Sequence, residues 1–171
     1  MSPVHAVCVA LAVDPDGPLV GLLILGDAGA GKSSLALSLI ETCSFQRTAL
    51  VADDAVLIDA AGGFLIAFSP AQIEGLIETR GFGPAPVRHV ESAKLRFAVD
   101  LSRPIERVPE PGAYAPADAP SHPIPLYPLR WKGEESIAPH RVRRIAVSIL
   151  SGQMLQCTQD SDPEKTGKGG R

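Results

Sequence analysis

The sequence has few aromatic residues, few cysteines and no long hydrophobic run. Aromatic residues make up 5% of its 171 positions, and the three cysteines, Cys8, Cys43 and Cys157, are far apart and form no CxxC pair. Neither a disulfide framework nor a zinc site is therefore predicted. The apolar stretch at residues 18–25 is too short to span a bilayer. No basic residue precedes the apolar N-terminal segment, as a secretory signal would require. We therefore expect a cytoplasmic protein that does not associate with a membrane.

The sequence also has no excess of basic over acidic residues. Lys and Arg number 16 against 19 Asp and Glu, which gives a formal net charge of −3. A nucleic-acid-binding domain normally carries a clustered positive charge, so nucleic acid is not an expected partner. With 45% hydrophobic and 20% charged residues, the composition is that of a globular domain with a hydrophobic core.

The hydrophobic pattern predicts an α/β fold in which strands and helices are interleaved. Short apolar runs with turn signals between them predict strands, and apolar residues at helical spacing predict helices. Ser69 followed by Pro70 suggests the start of a short helix. The predicted strands cover residues 4–13, 19–25, 49–52 and 94–101, with a hairpin at 56–58 and 64–67; the predicted helices follow residue 33 and cover 69–76 and 141–153.

Proline is concentrated in one segment of the chain. Nine of the 16 prolines lie within residues 104–139, where regular helix is not expected and an extended excursion is. We expect one domain over residues 1–155 that includes this excursion. Residues 156–171 are polar and rich in glycine, and they are predicted to be a disordered tail.

A phosphate-binding loop is the most specific motif in the sequence. It follows an apolar strand and precedes a helical pattern, which is the context that this motif requires. Glycines allow backbone N–H groups to turn inward around phosphate oxygens, the lysine reaches the β- and γ-phosphates, and the serine hydroxyl can ligate Mg²⁺. The alternative is a glycine-rich turn that binds nothing. The predicted ATP-binding residues are Gly26, Asp27, Ala28, Gly29, Ala30, Gly31, Lys32 and Ser33.

Two adjacent aspartates end the strand that follows this helix. Ligands collect at the edge of an α/β sheet where the strands next to such a loop end, so Asp53 and Asp54 are candidates for metal or acceptor chemistry. Neighbouring side chains in extended backbone point in opposite directions, so we expect the two to have different roles. The alternative is that they cap the turn into Ala55.

Three motifs in this order resemble the HPr kinase/phosphorylase family. They are the loop at residues 26–33, the sequence LVADD at 50–54 and the sequence IETRGFG at 77–83. The resemblance covers roughly residues 4–108. It implies a P-loop kinase fold related to phosphoenolpyruvate carboxykinase, with a mixed β-sheet and flanking helices. It also implies ATP and Mg²⁺ as cofactors and a serine of the phosphocarrier protein HPr as the acceptor.

The resemblance further implies roles for individual residues. Asp54 would take the proton of the acceptor serine, with Asp53 supporting it or the metal, while His5 would pair with the aspartates. Glu78 would bind Mg²⁺ alongside Ser33, and Arg80, on the same motif as Gly81 and Gly83, would face the phosphates. Arg107 would be the arginine of a mobile catalytic loop, with Arg103 as the alternative. From the residues alone, a solvated ion pair is the preferred interpretation of Glu78 and Arg80, and a histidine satisfied by a backbone group is the preferred interpretation of His5.

The resemblance also extends to the context in which the protein works. The chain is similar to short, α-proteobacterial-type forms that have no N-terminal domain and belong to regulatory phosphotransfer systems. Family members are hexamers, so a homo-oligomer is expected. The family segment linked to phosphorylase activity is matched only weakly, at residues 138–144. Kinase activity is therefore expected more firmly than phosphorylase activity.

Two other functions compete with this interpretation. A small-metabolite kinase of the shikimate- or gluconate-kinase type has the same loop, but it needs several long amphipathic helices and an arginine-rich lid. A non-catalytic ATP-sensing module needs only the loop, whereas this chain also carries Asp54 and Glu78, which binding alone does not require.

Overall fold

The computed structural model describes residues 3–107 and 112–152, and within them it contains a mixed sheet and two helices. The strands are β1 Val4–His5, β2 Val7–Leu11, β3 Val20–Leu25, β4 Ala49–Ala52, β5 Ala55–Ala61, β6 Phe64–Phe68, β7 Leu76–Thr79, β8 Gly83–Pro86, β9 Ser92–Asp100, β10 Gly112–Tyr114 and β11 Ile124–Pro128. The helices are α1 Lys32–Glu41 and α2 Ala138–Leu150.

Nine of these strands form one sheet, whose main order is β1-β5-β6-β9-β3-β2-β4. Strand β3 pairs in parallel with β9, and β9 pairs in parallel with β11, while β2 is antiparallel to both β3 and β4. Strands β3 and β4 therefore run in the same direction on either side of β2. This arrangement brings the loop after β3 and the aspartates after β4 to one edge of the sheet. Strands β7 and β8 form a separate hairpin.

The core lies on both faces of the sheet, because successive side chains of its central strands point to opposite faces. In β2, Val7, Val9 and Leu11 contribute to one cluster, which also contains the buried side chains of α1 and α2. Cys8 and Ala10 contribute to a second cluster with residues of β4, β5, β6 and β11. All residues of β2 are buried. A strand covered on both faces reads as a continuous apolar run, as the sequence does here.

The two helices pack on the same face of the sheet. Helix α2 buries Ala138, Val142, Ala146 and Ile149, which recur every three or four positions and form one apolar stripe. Arg143 on α2 donates from Nη2 to the backbone oxygen of Leu39 (2.9 Å) and to Oγ1 of Thr42 (2.8 Å). It thereby satisfies groups at the C-terminal end of α1, where a cation is favourable. No helix in the described ranges is long and apolar enough to cross a membrane.

Most of the elements predicted from the sequence are present, including the hairpin β5–β6 and helix α2. The prediction of a helix over residues 69–76 is wrong. The chain makes successive turns there, closed by bonds from the N–H of Ile73 to the oxygen of Pro70 and from that of Leu76 to the oxygen of Ile73. Gly75 has a φ of +72°, which no right-handed helix contains, so the helix cannot propagate.

The proline-rich segment is more ordered than expected. Within its described part, β11 extends the central sheet by pairing in parallel with β9, and β10 pairs with β11. The start of α2 at Ala138 also lies inside this segment, with Pro139 in the first helical turn, where a missing N–H costs nothing. The domain limit at 155 and the predicted tail at 156–171 lie outside the described residues.

Candidate functional site

The loop between β3 and α1 has the backbone of a phosphate-binding nest. Gly26, Gly29 and Gly31 have φ values of +144°, +75° and +106°, a region that favours glycine. Helix α1 begins directly after Gly31, and no side chain caps it within the described chain. Its first turn contains no acidic residue. The first turn of α1 therefore supplies N–H groups and the positive end of the helix to the loop, and no acidic residue of that turn opposes an anion there.

Lys32 is folded back onto this loop. Its side chain is buried, and Nζ donates to the backbone oxygens of Gly26 (2.9 Å) and Asp27 (3.1 Å). A buried ammonium needs partners of this kind. The loop thus keeps the lysine charge inside the curve of its backbone, where phosphate oxygens would arrive.

His5 joins Lys32 to Asp54. Its Nε2 lies 3.2 Å from Nζ of Lys32, and its Nδ1 lies 2.9 Å from Oδ1 of Asp54. Because an ammonium can only donate, Nε2 accepts from it, and the ring proton lies on Nδ1 and is donated to Asp54. The expected contact of His5 with the aspartates is thus made to Asp54 alone. The alternative of a histidine satisfied by a backbone group does not describe this geometry.

The two adjacent aspartates have different surroundings. Asp54 is exposed and has a φ of +63°, a left-handed conformation that Asp tolerates better than most residues. Asp53 is buried, and its Oδ1 accepts from the Ser33 hydroxyl (2.7 Å) while its Oδ2 accepts from the N–H of Glu78 (2.7 Å). Both residues follow the end of β4, so it is the turn at Asp54 that separates the side chains, rather than the alternation expected of a strand.

The hairpin β7–β8 forms the opposite side of the site. Glu78 and Arg80 are exposed and line the same cavity as the phosphate-binding loop. Among the described residues neither has an ion-pair partner, so the solvated pair considered from the sequence is not formed. Gly81 and Gly83, with φ values of +83° and +108°, make the turn beyond them and do not line the cavity. The bond from Glu78 to Asp53 anchors this hairpin to the end of β4.

A cavity of about 260 Å³ collects most of these groups. Val7 and Ser34 line it as well, although nothing in the sequence pattern distinguishes them from ordinary strand and helix residues. The predicted site residues Gly26, Asp27, Ala30 and Asp53 are not part of its lining. Its lining is His5, Val7, Ala28, Gly29, Gly31, Lys32, Ser33, Ser34, Asp54, Glu78 and Arg80.

The structure does not bring the predicted loop arginine to this cavity. Arg107 is exposed and is not part of the lining. The alternative, Arg103, lies outside the lining too, and its Nε is 3.4 Å from Oδ2 of Asp100. The role of Arg107 in the reaction remains a prediction from the resemblance.

The residues present fit a hard divalent cation. The Ser33 hydroxyl, the Asp53 carboxylate that accepts from it and the Glu78 carboxylate supply the oxygen ligands that Mg²⁺ prefers. No group of three His, Cys, Asp or Glu residues within residues 3–107 and 112–152 could hold a metal on its own. A cation bound here would therefore take its remaining ligands from nucleotide phosphates and water, as Mg²⁺ in kinases commonly does.

A mixed sheet whose one edge carries a glycine loop, a buried lysine and two aspartates defines a phosphate-binding α/β domain of the P-loop type. Comparison with known proteins specifies it further. The profile of the family described as HPr Serine kinase C-terminal domain matches residues 3–95. The chain belongs to this family.

Individual relatives agree with this assignment. A protein of Xylella fastidiosa (strain M12) named HPr kinase/phosphorylase is 38% identical over 103 residues, which cover 56% of this chain and 31% of the relative. A protein of the same name from Clostridium tetani is 47% identical over 64 residues, which cover 37% and 20%. The chain thus spans less than a third of the length of these curated relatives.

The fold is confirmed by a solved structure, that of the HPr(Ser) kinase/phosphatase from Coxiella burnetii. It superimposes with a TM-score of 0.70 over 90% of this chain and 93% of that one, at 19% sequence identity. The α/β prediction of a P-loop kinase fold with a mixed sheet and flanking helices is therefore correct.

Proposed function

We propose that this chain is an ATP- and Mg²⁺-dependent protein kinase that phosphorylates a serine of an HPr-like phosphocarrier protein. The observation that carries this proposal is the contact chain from Lys32 through His5 to Asp54, which joins the phosphate-binding loop to a carboxylate at the mouth of the cavity. Nucleotide binding alone would need the loop but not the carboxylate. Membership of the family and the names of the relatives support HPr as the acceptor.

Each group then has a defined task. The loop N–H groups and Lys32 bind the β- and γ-phosphates, and Ser33, Asp53 and Glu78 are the residues that would hold Mg²⁺. When bound, the cation neutralises charge on the phosphates. Lys32 exchanges its contacts with the backbone oxygens of the loop for contacts with phosphate oxygens. Arg80, on the opposite wall, supplies a second positive charge toward the same space.

Asp54 acts as the base. Oδ1 is held by the Nδ1 proton of His5, while in the described chain Oδ2 has no partner. The acceptor hydroxyl gives its proton to Asp54 as its oxygen bonds to the γ-phosphorus, and the bond from that phosphorus to the β–γ bridging oxygen breaks to release ADP. His5 is a positioning residue here, because its Nδ1 proton orients the carboxylate that accepts the proton of the substrate.

The test is incubation with γ-labelled ATP, Mg²⁺ and purified HPr, followed by mass spectrometry of HPr. We expect one phosphoserine, which depends on Mg²⁺ and is lost in Lys32→Ala and Asp54→Asn. HPr with that serine changed to alanine is the acceptor control. ATP binding without transfer to any HPr-like protein would support an ATP-sensing module instead, and transfer to a small metabolite in a panel would support a metabolite kinase.

Homo-oligomerisation is a further prediction, measured by light scattering.

A further inference from the structure

Two residues beyond the family-matched segment contact the phosphate-binding loop from outside the cavity. They are Ser102, just after β9, and Trp131, between β11 and α2. Both lie outside residues 3–95, which the family profile matches, and no sequence motif singles them out. They touch opposite ends of the loop.

Trp131 lies against Gly31, the last glycine of the loop. A side-chain carbon built on Gly31 would overlap Cδ1 of the indole and would lie 2.5 Å from Nε1. The indole therefore occupies the space beside Gly31, at the residue whose left-handed backbone leads into α1. Trp131 is itself half-buried and packs against the core cluster that contains α1 and α2.

Ser102 contacts the start of the loop. Its Oγ accepts a hydrogen bond from the N–H of Asp27 (2.8 Å). A side-chain carbon on Gly26 would lie 3.3 Å from the same Oγ and 3.2 Å from Cβ of Leu101, so the end of β9 packs closely on the first glycine. This hydrogen bond fixes the orientation of the peptide that follows Gly26. Gly26 has a φ of +144° and no side chain, so few other contacts restrict the backbone there.

The segments that carry Ser102 and Trp131 are both hydrogen-bonded to Asp100, the last residue of β9. Its Oδ1 accepts from the N–H of Ser102 (2.9 Å), and its backbone oxygen accepts from the N–H of Leu129 (3.1 Å), two residues before Trp131. The N–H of Glu134 donates to the oxygen of Trp131 (2.9 Å) and closes a turn around it. The two contacts are thus held in a fixed relation by one strand end.

We propose that Ser102 and Trp131 are positioning residues that hold the loop in its phosphate-binding conformation before nucleotide arrives. This inference rests on the proposed function, since it assumes that the loop binds nucleotide. A loop with three left-handed glycines has many accessible conformations when it is unsupported, and ordering it on binding would reduce affinity. Contacts that order it in advance remove that cost, so the effect appears in nucleotide affinity rather than in the transfer step.

The test compares Ser102→Ala, Trp131→Ala and Trp131→Phe with the unchanged protein. Affinity for Mg-ATP is measured by calorimetry, and KM for ATP and kcat are measured with HPr as acceptor. We expect Trp131→Ala to raise Kd and KM for ATP about tenfold, the equivalent of about 1.4 kcal/mol, with kcat nearly unchanged. Trp131→Phe, which keeps a ring beside Gly31, should recover most of the affinity. Ser102→Ala should raise Kd about threefold, because one neutral hydrogen bond is lost.

A matched control separates this role from general stability. Phe45 is a partly exposed aromatic residue that does not line the cavity, so Phe45→Ala should leave the Kd for Mg-ATP unchanged.

Three results decide the matter. Folded Ser102→Ala and Trp131→Ala proteins with unchanged Kd would overturn the inference while leaving the proposed function intact. If Trp131→Ala fails to fold, Ser102→Ala and Trp131→Phe decide it by the same criterion. If the wild-type protein binds no Mg-ATP, the proposed function is overturned, and the inference that rests on it is overturned as well.

Discussion

Nδ1 of His5 lies 2.9 Å from Oδ1 of Asp54, and the two side chains are 55% and 75% exposed. An ion pair or hydrogen bond this exposed contributes little to folding, about 0–1 kcal/mol. Its geometry nevertheless fixes the direction of a carboxylate at the mouth of the cavity. The contact is therefore expected to matter for catalysis and not for stability.

Substitution of Asp54 should separate binding from transfer. Asp54→Asn keeps the size of the side chain and tolerates the left-handed backbone, but it cannot accept a proton. We expect phosphoryl transfer to HPr to fall by about 10²- to 10⁴-fold while affinity for ATP stays near normal. Asp59→Asn, on the exposed part of β5, is the matched control. A wild-type transfer rate in Asp54→Asn would mean that another group is the base.

Substitution of His5 should affect activity without unfolding the protein. In His5→Ala the Asp54 carboxylate loses its orienting donor, and we expect kcat to fall by about 10- to 100-fold, as for other misplaced reacting groups. The midpoint of thermal unfolding should hardly change. His5→Asn, whose amide can donate from about the position of Nδ1, should restore part of the rate. A wild-type kcat in His5→Ala would remove His5 from the mechanism.

Asp53 should be the aspartate that matters for stability. It is buried and accepts from both Ser33 and the N–H of Glu78. Asp53→Asn leaves one of these two donors facing an NH₂ group, and we expect a loss of about 1–3 kcal/mol in the free energy of unfolding. Urea denaturation measures it, with Asp54→Asn as the neighbour that should change little. Comparable losses in the two variants would contradict this division.

Glu78 should act through the cation. Its side chain lines the cavity without a partner in the described chain, and its backbone N–H bond to Asp53 survives substitution. Glu78→Gln should therefore fold normally, and its activity at limiting Mg²⁺ should fall steeply because an amide is a weaker ligand for a hard cation. Raised Mg²⁺ or Mn²⁺ should recover part of it. The exposed Glu91→Gln serves as control, and wild-type activity of Glu78→Gln at limiting Mg²⁺ would exclude the role.

Cys43 and Cys8 should differ in reactivity toward alkylating agents. Burial raises the pKa of the Cys43 thiol, but hydrogen bonds from Thr48 and neighbouring backbone groups outweigh it and lower the pKa to about 7. Cys43 also lines a second cavity of about 450 Å³. Cys8 is fully buried in β2, and burial raises its pKa far above the ordinary value.

The rate of alkylation follows the thiolate fraction, which rises with pH through the pKa. Iodoacetamide should therefore modify Cys43 in the native protein with a midpoint near pH 7, while Cys8 reacts only after unfolding. Peptide mapping by mass spectrometry distinguishes the two sites. Earlier modification of Cys8 than of Cys43 would contradict the prediction.

Local signals in the sequence predicted much of the fold. The alternation of apolar runs and turn residues marks β2, β3 and the β5–β6 hairpin, because each depends on neighbouring positions. The helix expected at 69–76 failed because a favourable start at Ser69 and Pro70 does not offset the left-handed backbone at Gly75. The strand β11 was missed because its partner, β9, is remote in sequence, and prolines at Pro125 and Pro128 argue against a central strand.

The sequence by itself determined the phosphate-binding loop and the aspartates, since motif spacing encodes a strand, a glycine turn and a helix start in consecutive residues. Only the tertiary structure decided which aspartate meets His5 and which one meets Ser33, because a single left-handed residue at Asp54 turns the two side chains apart. It also decided that Ser102 and Trp131 contact the loop. Those contacts join segments far apart in the chain through packing, and packing between remote segments leaves no periodic trace in a sequence.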